Sequence, residues 1–97
     1  MPPGWTEWGG LVGNSRYYNY NMSRNGVLEQ HHSDYGVDYF TDLISRNANE
    51  WITNITATDH NQPFLAVLST PACHDGTIPA PQYDNVPSPI CNRSSKF

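Results

Sequence analysis

The sequence predicts an α/β fold of which it holds only a part. Three observations carry this. Apolar residues recur at steps of three and four over residues 34–53, the period of a helix with one buried face. After a polar loop, residues 64–68 are apolar without a break, which fits a strand covered on both faces. Helix, short loop and buried strand make half of a βαβ unit. One buried strand cannot form a sheet alone, so its partners are expected outside these 97 residues.

Composition agrees with a partial domain. Five Leu, five Ile, five Val and three Phe make 18 of 97 residues, a thin supply for a core. A chain this short would bury roughly 60–65% of its unfolded surface. Six Tyr, three Trp and a net charge of only −4 still favour a folded chain over a disordered one. Five Lys/Arg against nine Asp/Glu leave no basic surface for nucleic acid. No apolar run nears the roughly 18 residues of a membrane span. The start, Met1-Pro-Pro-Gly-Trp5, lacks the basic and apolar regions of a signal peptide.

Residues 1–16, opening on Pro2-Pro3-Gly4, are expected to be irregular with one helical turn, Trp5 and Trp8 serving packing. Residues 17–30 read as a hairpin. Tyr18, Tyr20 and Met22 alternate with Asn19, Asn21 and Ser23, and Asn25-Gly26 supplies the two positive-φ positions of a type I′ turn. His31 and His32 are adjacent, so their rings point apart, and no other ligand lies at helical spacing; they read as a solvated loop.

The helix is expected from Ser33 to Thr53. Val37, Phe40, Ile44, Ala48, Trp51 and Ile55 form its apolar stripe, Ser33 is the expected N-cap, and Asp34 and Asp38 suit the positive end of the helix dipole. Asp38 and Asp42 lie one turn apart, as paired catalytic carboxylates can. With no apolar pocket expected around them, they read as a solvated face. The strand near 64–70 is bounded by Pro63 and Pro71. From Pro79 onward a Pro-rich loop with no regular structure is expected.

Cys73 and Cys91 either pair or stand as free thiols. Asn21-Met-Ser, Asn54-Ile-Thr and Asn92-Arg-Ser fit the N-glycosylation signal and together favour a secretory-pathway protein. That conflicts with the missing signal peptide, and a fragment resolves the conflict. The chemistry candidate is His74, four residues past the expected strand. In an open α/β sheet ligands bind beyond the carboxyl ends of the strands. An imidazole there can hydrogen-bond an anionic oxygen or act as acid or base near neutral pH; the plainer reading is a surface-loop histidine.

An ordered set of short motifs runs through the chain: Pro2-Pro-Gly-Trp-x-Glu-Trp8, Asn14-Ser-Arg-Tyr-Tyr-Asn-Tyr20, Arg24-Asn-Gly26, Asp38-Tyr-Phe-Thr-Asp-Leu-Ile44, Thr70-Pro-Ala-x-His74 and Ala80-Pro-Gln-Tyr83. Together they resemble the middle of a glucosamine-6-sulfatase. Two branches of the sulfatase family share the pattern, the lysosomal N-acetylglucosamine-6-sulfatases and the extracellular heparan endosulfatases. Arg24-Asn-Gly and Tyr39-Phe-Thr-Asp lean toward the extracellular type. The resemblance covers residues 1–83 as part of a sulfatase N-terminal catalytic domain and leaves 84–97 as a divergent Pro-rich tail.

The resemblance implies an alkaline-phosphatase-like α/β parent with a large mixed sheet, hydrolysing 6-O-sulfate esters on glucosamine of heparan or keratan sulfate. It implies a sulfate contact for His74, with a possible second role as acid to the leaving sugar oxygen. It implies glycosylation at Asn21, a Ca²⁺ ion and a formylglycine nucleophile, a sulfated glycosaminoglycan substrate, and a lysosomal or extracellular location. The departures from the family pattern flank the histidine: Cys73 stands where the family has proline, and Asp75-Gly76 replace a small residue and proline. A carboxylate there would repel sulfate and favour the charged imidazole.

Formylglycine arises from Cys or Ser in Cys/Ser-x-Pro/Ala-x-Arg. Neither cysteine heads such a motif, and in Ser69-Thr-Pro-Ala-Cys73 a cysteine occupies the arginine position. The calcium site needs an early Asp-Asp pair, which is absent, and a late Asp-Asn; Asp84-Asn85 lies in a Pro-rich loop and reads as coincidence. The chain alone is therefore expected to be inactive and to need the remainder of the catalytic domain. The rival readings are a non-catalytic secreted glycan-binding module, which the acidic balance disfavours, and a non-functional gene fragment.

Overall fold

A computed structural model describes residues 1–58, 61–72, 74 and 76–86. The hairpin forms as its turn dictates. Strand β2 (Asn21–Arg24) pairs antiparallel with β3 (Val27–Gln30), with Asn21 opposite Gln30 and Arg24 opposite Val27. Asn25 and Gly26 both hold positive φ, at 50° and 90°, the backbone that a twisted two-residue turn requires. Pairing continues past the strands: Asn19 N–H donates to His32 O at 2.8 Å, and His31 N–H to Tyr20 O at 2.9 Å.

A further strand replaces the irregular segment expected over 1–16. Strand β1 (Gly9–Val12) pairs antiparallel with β2, giving a three-stranded sheet in the order β1-β2-β3. The hairpin turn itself ties β1 down. Trp8 N–H donates to Asn25 Oδ1 at 2.8 Å and Asn25 N–H to Trp8 O at 2.9 Å. A Cβ at Gly10 would come within 2.8 Å of the Trp8 indole nitrogen, so a larger residue there would force the indole to shift.

The expected single helix is two. α1 (Tyr35–Asp38) is followed by α2 (Phe40–Thr58), with Tyr39 extended between them at φ −61°, ψ 112°. Asp34, not Ser33, caps α1: its Oδ1 accepts from Gly36 N–H at 2.8 Å. An aspartate and a serine compete for the same capping role, and only Asp34 stands two residues before the free N–H. The break leaves carbonyls without helical partners. Arg46 supplies them, donating to Gly36 O at 2.9 Å and Val37 O at 2.6 Å. α2 runs past Thr53 to Thr58, where the Thr56 and Thr58 hydroxyls donate to carbonyls one turn back.

Helix α2 sits on the sheet through a small core of Tyr20, Met22, Phe40 and Leu43, with Leu11 and Ile44 packed against it. Val37 leaves the expected stripe and is exposed, because the break at Tyr39 resets the helical phase. A second cluster joins Tyr17, Tyr39 and Ala80, flanked by Tyr18 and Tyr35.

The strand expected over 64–70 does not form among the described residues, and the run is not buried. Phe64, Leu65, Val67 and Leu68 are 48, 75, 62 and 55% exposed. The described sheet is antiparallel and made of residues 9–30, so the apolar run has no neighbouring strand to pair with. Phe64 packs edge-on to Trp51 at a centroid distance of 5.3 Å. The Pro-rich end is more ordered than expected: Pro81–Tyr83 form a 3₁₀ turn and Ala80 is buried. No described helix is long and apolar enough to cross a membrane.

Candidate functional site

His74 lies on a tight turn just beyond the exposed apolar run. Its N–H donates to Pro71 O at 2.8 Å, and the Thr77 hydroxyl donates to His74 O at 2.9 Å. Pro71 is buried, whereas His74 is exposed. Beyond the turn the chain is bound to the tyrosine cluster. Tyr39 OH donates to Ile78 O and Tyr35 OH to Gln82 Oε1, both at 2.9 Å. The Tyr39 ring is held by Tyr17, Tyr18 and Tyr35 at centroid distances of 6.0, 5.4 and 5.6 Å. Burial first, and the neighbouring tyrosines and Asp42 after it, push the Tyr39 hydroxyl upward in pKa, so it stays a protonated donor. The two expected sequence departures, Cys73 and Asp75, and also Cys91 and Asn92, lie outside the described residues.

The sequence reading did not anticipate the anchors Tyr35, Tyr39 and Gln82. Tyr39 and Gln82 lie inside the ordered motifs and Tyr35 outside them; a hydrogen bond spanning 39 positions has no local pattern.

His31 and Asp38 correct the reading of both as solvated. Asp38 is buried and His31 nearly so, and the imidazole stacks on Tyr20 at 4.8 Å and 19°. His31 Nδ1 lies 3.3 Å from Asp38 Oδ1, and its Nε2 lies 3.6 Å from Glu29 Oε2, beyond hydrogen-bond reach. The Asp38 Oδ2 accepts from Asp34 N–H at 3.0 Å. Burial alone would raise the Asp38 pKa, but the backbone N–H groups of Asp34 and His32 and the His31 ring outweigh it and hold it below the usual value. Tyr20 donates to Asp38 O at 2.9 Å; burial and the Asp38 charge push its hydroxyl well above the ordinary range. The Nδ1–Asp38 contact locks the hairpin to the α1–α2 junction, while Nε2 is buried with no hydrogen-bond partner among the described residues. His32 is exposed, as expected.

Asn21 and Asn54 are exposed, on β2 and near the end of α2 respectively. An apolar groove of about 650 Å³ runs between α2 and the 65–71 segment. Phe40, Ile44 and Trp51 line it from α2, and Trp5, Trp8 and Met22 also line it. His74 is outside it. Glu7 and Arg24 are the charged residues on its rim, and Arg24 is already paired, its Nε 3.2 Å from Glu29 Oε1. The groove suits packing better than chemistry. Among the described residues no three His, Cys, Asp or Glu side chains converge as a metal site would require.

Comparison with known proteins places the chain in a class first. Over 86 residues it is 41% identical to the extracellular sulfatase SULF-1 homolog of Drosophila melanogaster, covering 89% of this chain and 8% of that protein. The N-acetylglucosamine-6-sulfatases of goat (Capra hircus) and human are 41 and 40% identical over 85 and 83 residues, covering 88 and 86% of this chain and 15 and 14% of theirs. The chain belongs to the sulfatase family. Within it, the similarity is to the branch holding extracellular sulfatases and N-acetylglucosamine-6-sulfatases. The chain spans between 8 and 15% of the length of these curated relatives. No protein-family profile matches it, and no solved structure does.

Proposed function

We propose that this chain is the segment of a glucosamine-6-sulfatase catalytic domain that presents His74 to the sulfate ester. The whole enzyme would hydrolyse 6-O-sulfate from glucosamine residues of heparan or keratan sulfate, in the lysosome or outside the cell. The observation that carries the reading is the loop itself. Its exposed histidine is held on a tight turn between a buried proline and a tyrosine-bound return, with sulfatase motifs on both sides.

An imidazole so placed can donate a hydrogen bond to a sulfate oxygen and, when protonated, pass its proton to the departing sugar oxygen. General acid help of this kind is worth about 10²–10⁴-fold, on top of a working nucleophile. The nucleophile and calcium ligands would come from the rest of the polypeptide. A bound Ca²⁺ would supply electrostatic stabilisation of the sulfate. The exposed 64–68 run and the apolar groove are the faces against which that remainder would pack. Exposed Asn21 and Asn54 would carry glycans, and Asn92 is a third acceptor by motif.

The 97 residues alone should not turn over an aryl sulfate, because no Cys/Ser-x-Pro/Ala-x-Arg motif is present. Turnover by the pure chain would refute this. Extending the reading frame upstream tests the assignment: an in-frame Cys/Ser-x-Pro/Ala-x-Arg supports it, and a signal peptide joined directly to Met1 opposes it.

A further inference from the structure

We propose that Tyr39, with Tyr35 assisting, is a positioning residue for His74, its hydroxyl fixing the far end of the loop that carries the imidazole. This rests on the reading of His74 as the sulfate contact. The residues between the anchors, 72–77, are few, so fixing both ends leaves His74 little freedom. The near end is Pro71, buried and bonded through its carbonyl to His74 N–H at 2.8 Å. The far end is Ile78, whose carbonyl accepts from Tyr39 OH at 2.9 Å. Behind it, Ala80 is buried against Tyr17 and Tyr39, and Gln82 Oε1 accepts from Tyr35 OH at 2.9 Å.

The break between α1 and α2 gains a purpose in this light. Tyr39 and Phe40 are both buried, yet in different clusters: Phe40 packs on the sheet, while Tyr39 packs on the tyrosines and the loop. The extended backbone at Tyr39, ψ 112°, is what turns consecutive side chains into separate packing sites. Arg46 braces the break from the other side by bonding Gly36 O and Val37 O. Three surrounding tyrosine rings hold the Tyr39 ring, and with it the hydroxyl that meets the loop.

A mutant cycle in the full-length polypeptide that carries this segment tests the inference. The substrate is an aryl glycoside of 6-sulfated N-acetylglucosamine. Tyr39→Phe keeps the ring and removes the hydroxyl. It should lower kcat about 2- to 12-fold, the span expected for one net hydrogen bond, with KM changed less than about 2-fold. In a His74→Ala background the same change should cost nothing, because its effect passes through His74. Tyr35→Phe, whose bond is exposed, should give a smaller fall with the same dependence and serves if Tyr39→Phe does not fold. Equal falls in both backgrounds, or none in either, overturn the inference. Hydrogen exchange over residues 76–83 should rise in Tyr39→Phe; unchanged exchange refutes the anchor itself. Full activity in His74→Ala instead refutes the functional reading, and the positioning role falls with it, while exchange still reports whether the anchor exists.

Discussion

Replacing Asp38 with asparagine tests the lock between hairpin and helix. The buried carboxylate accepts from Asp34 N–H at 3.0 Å and faces His31 Nδ1 at 3.3 Å. Asparagine keeps one acceptor oxygen and turns an NH₂ toward a donor, so one charge-assisted hydrogen bond is lost and one group is left unpaired. Hydrogen bonds to charged groups are worth about 1.5–3 kcal/mol. A loss of about 2 kcal/mol corresponds to roughly 30-fold faster opening of the junction. Hydrogen exchange of the segment 31–40 in the full-length polypeptide, corrected for intrinsic rates, reads this directly. The pH dependence adds a sign. Because the folded Asp38 pKa is lowered, its contribution is present above the ordinary carboxylate value of 3.8 and is lost as pH falls through the lower folded value. Wild-type protection should therefore decline as the pH drops below about 4, and Asp38→Asn should lack that component. An exchange change under about 3-fold, or an identical acid profile in both proteins, would refute the lock.

Other outcomes follow from the same geometry. Gly26→Ala forces a Cβ at φ 90° and should cost about 1–2 kcal/mol, seen as faster exchange across the hairpin. Leu65→Asp separates two states of the 64–68 run. If the remainder of the domain covers it, folded yield and melting temperature of the full-length polypeptide fall sharply; if it stays in water, the change stays within about 0.5 kcal/mol. Expressed through a secretory pathway, Asn21→Gln and Asn54→Gln should each remove the mass of one glycan, and an unchanged mass at either position removes that acceptor.

What the sequence revealed divides along the range of the interactions. The Asn25-Gly26 turn and the strands beside it were legible because the positive-φ requirement is local. The helix was legible by its period, but its break at Tyr39 was not, since that break is stabilised by the distant Tyr17, whose carbonyl accepts from Phe40 N–H at 3.0 Å, and by the Arg46 side chain reaching back to Gly36 O and Val37 O. Strand β1 was missed because Gly9 and Gly10 carry no strand preference and pair only through β2. The 64–68 run showed the pattern of a buried strand, yet burial depends on neighbours that residues 9–30 do not provide. His31 looked solvated because its partners, Asp38 and Tyr20, converge only after the hairpin folds. His74 was found by its place after the apolar run, whereas the tyrosines that hold its loop became visible only in three dimensions.

The role of His74 is tested most directly by one comparison: kcat of the full-length polypeptide against its His74→Ala variant, on 6-sulfated N-acetylglucosamine at saturating substrate. A loss of about 10²-fold or more is expected, with the fold intact by hydrogen exchange. A variant that desulfates at the wild-type rate would contradict it.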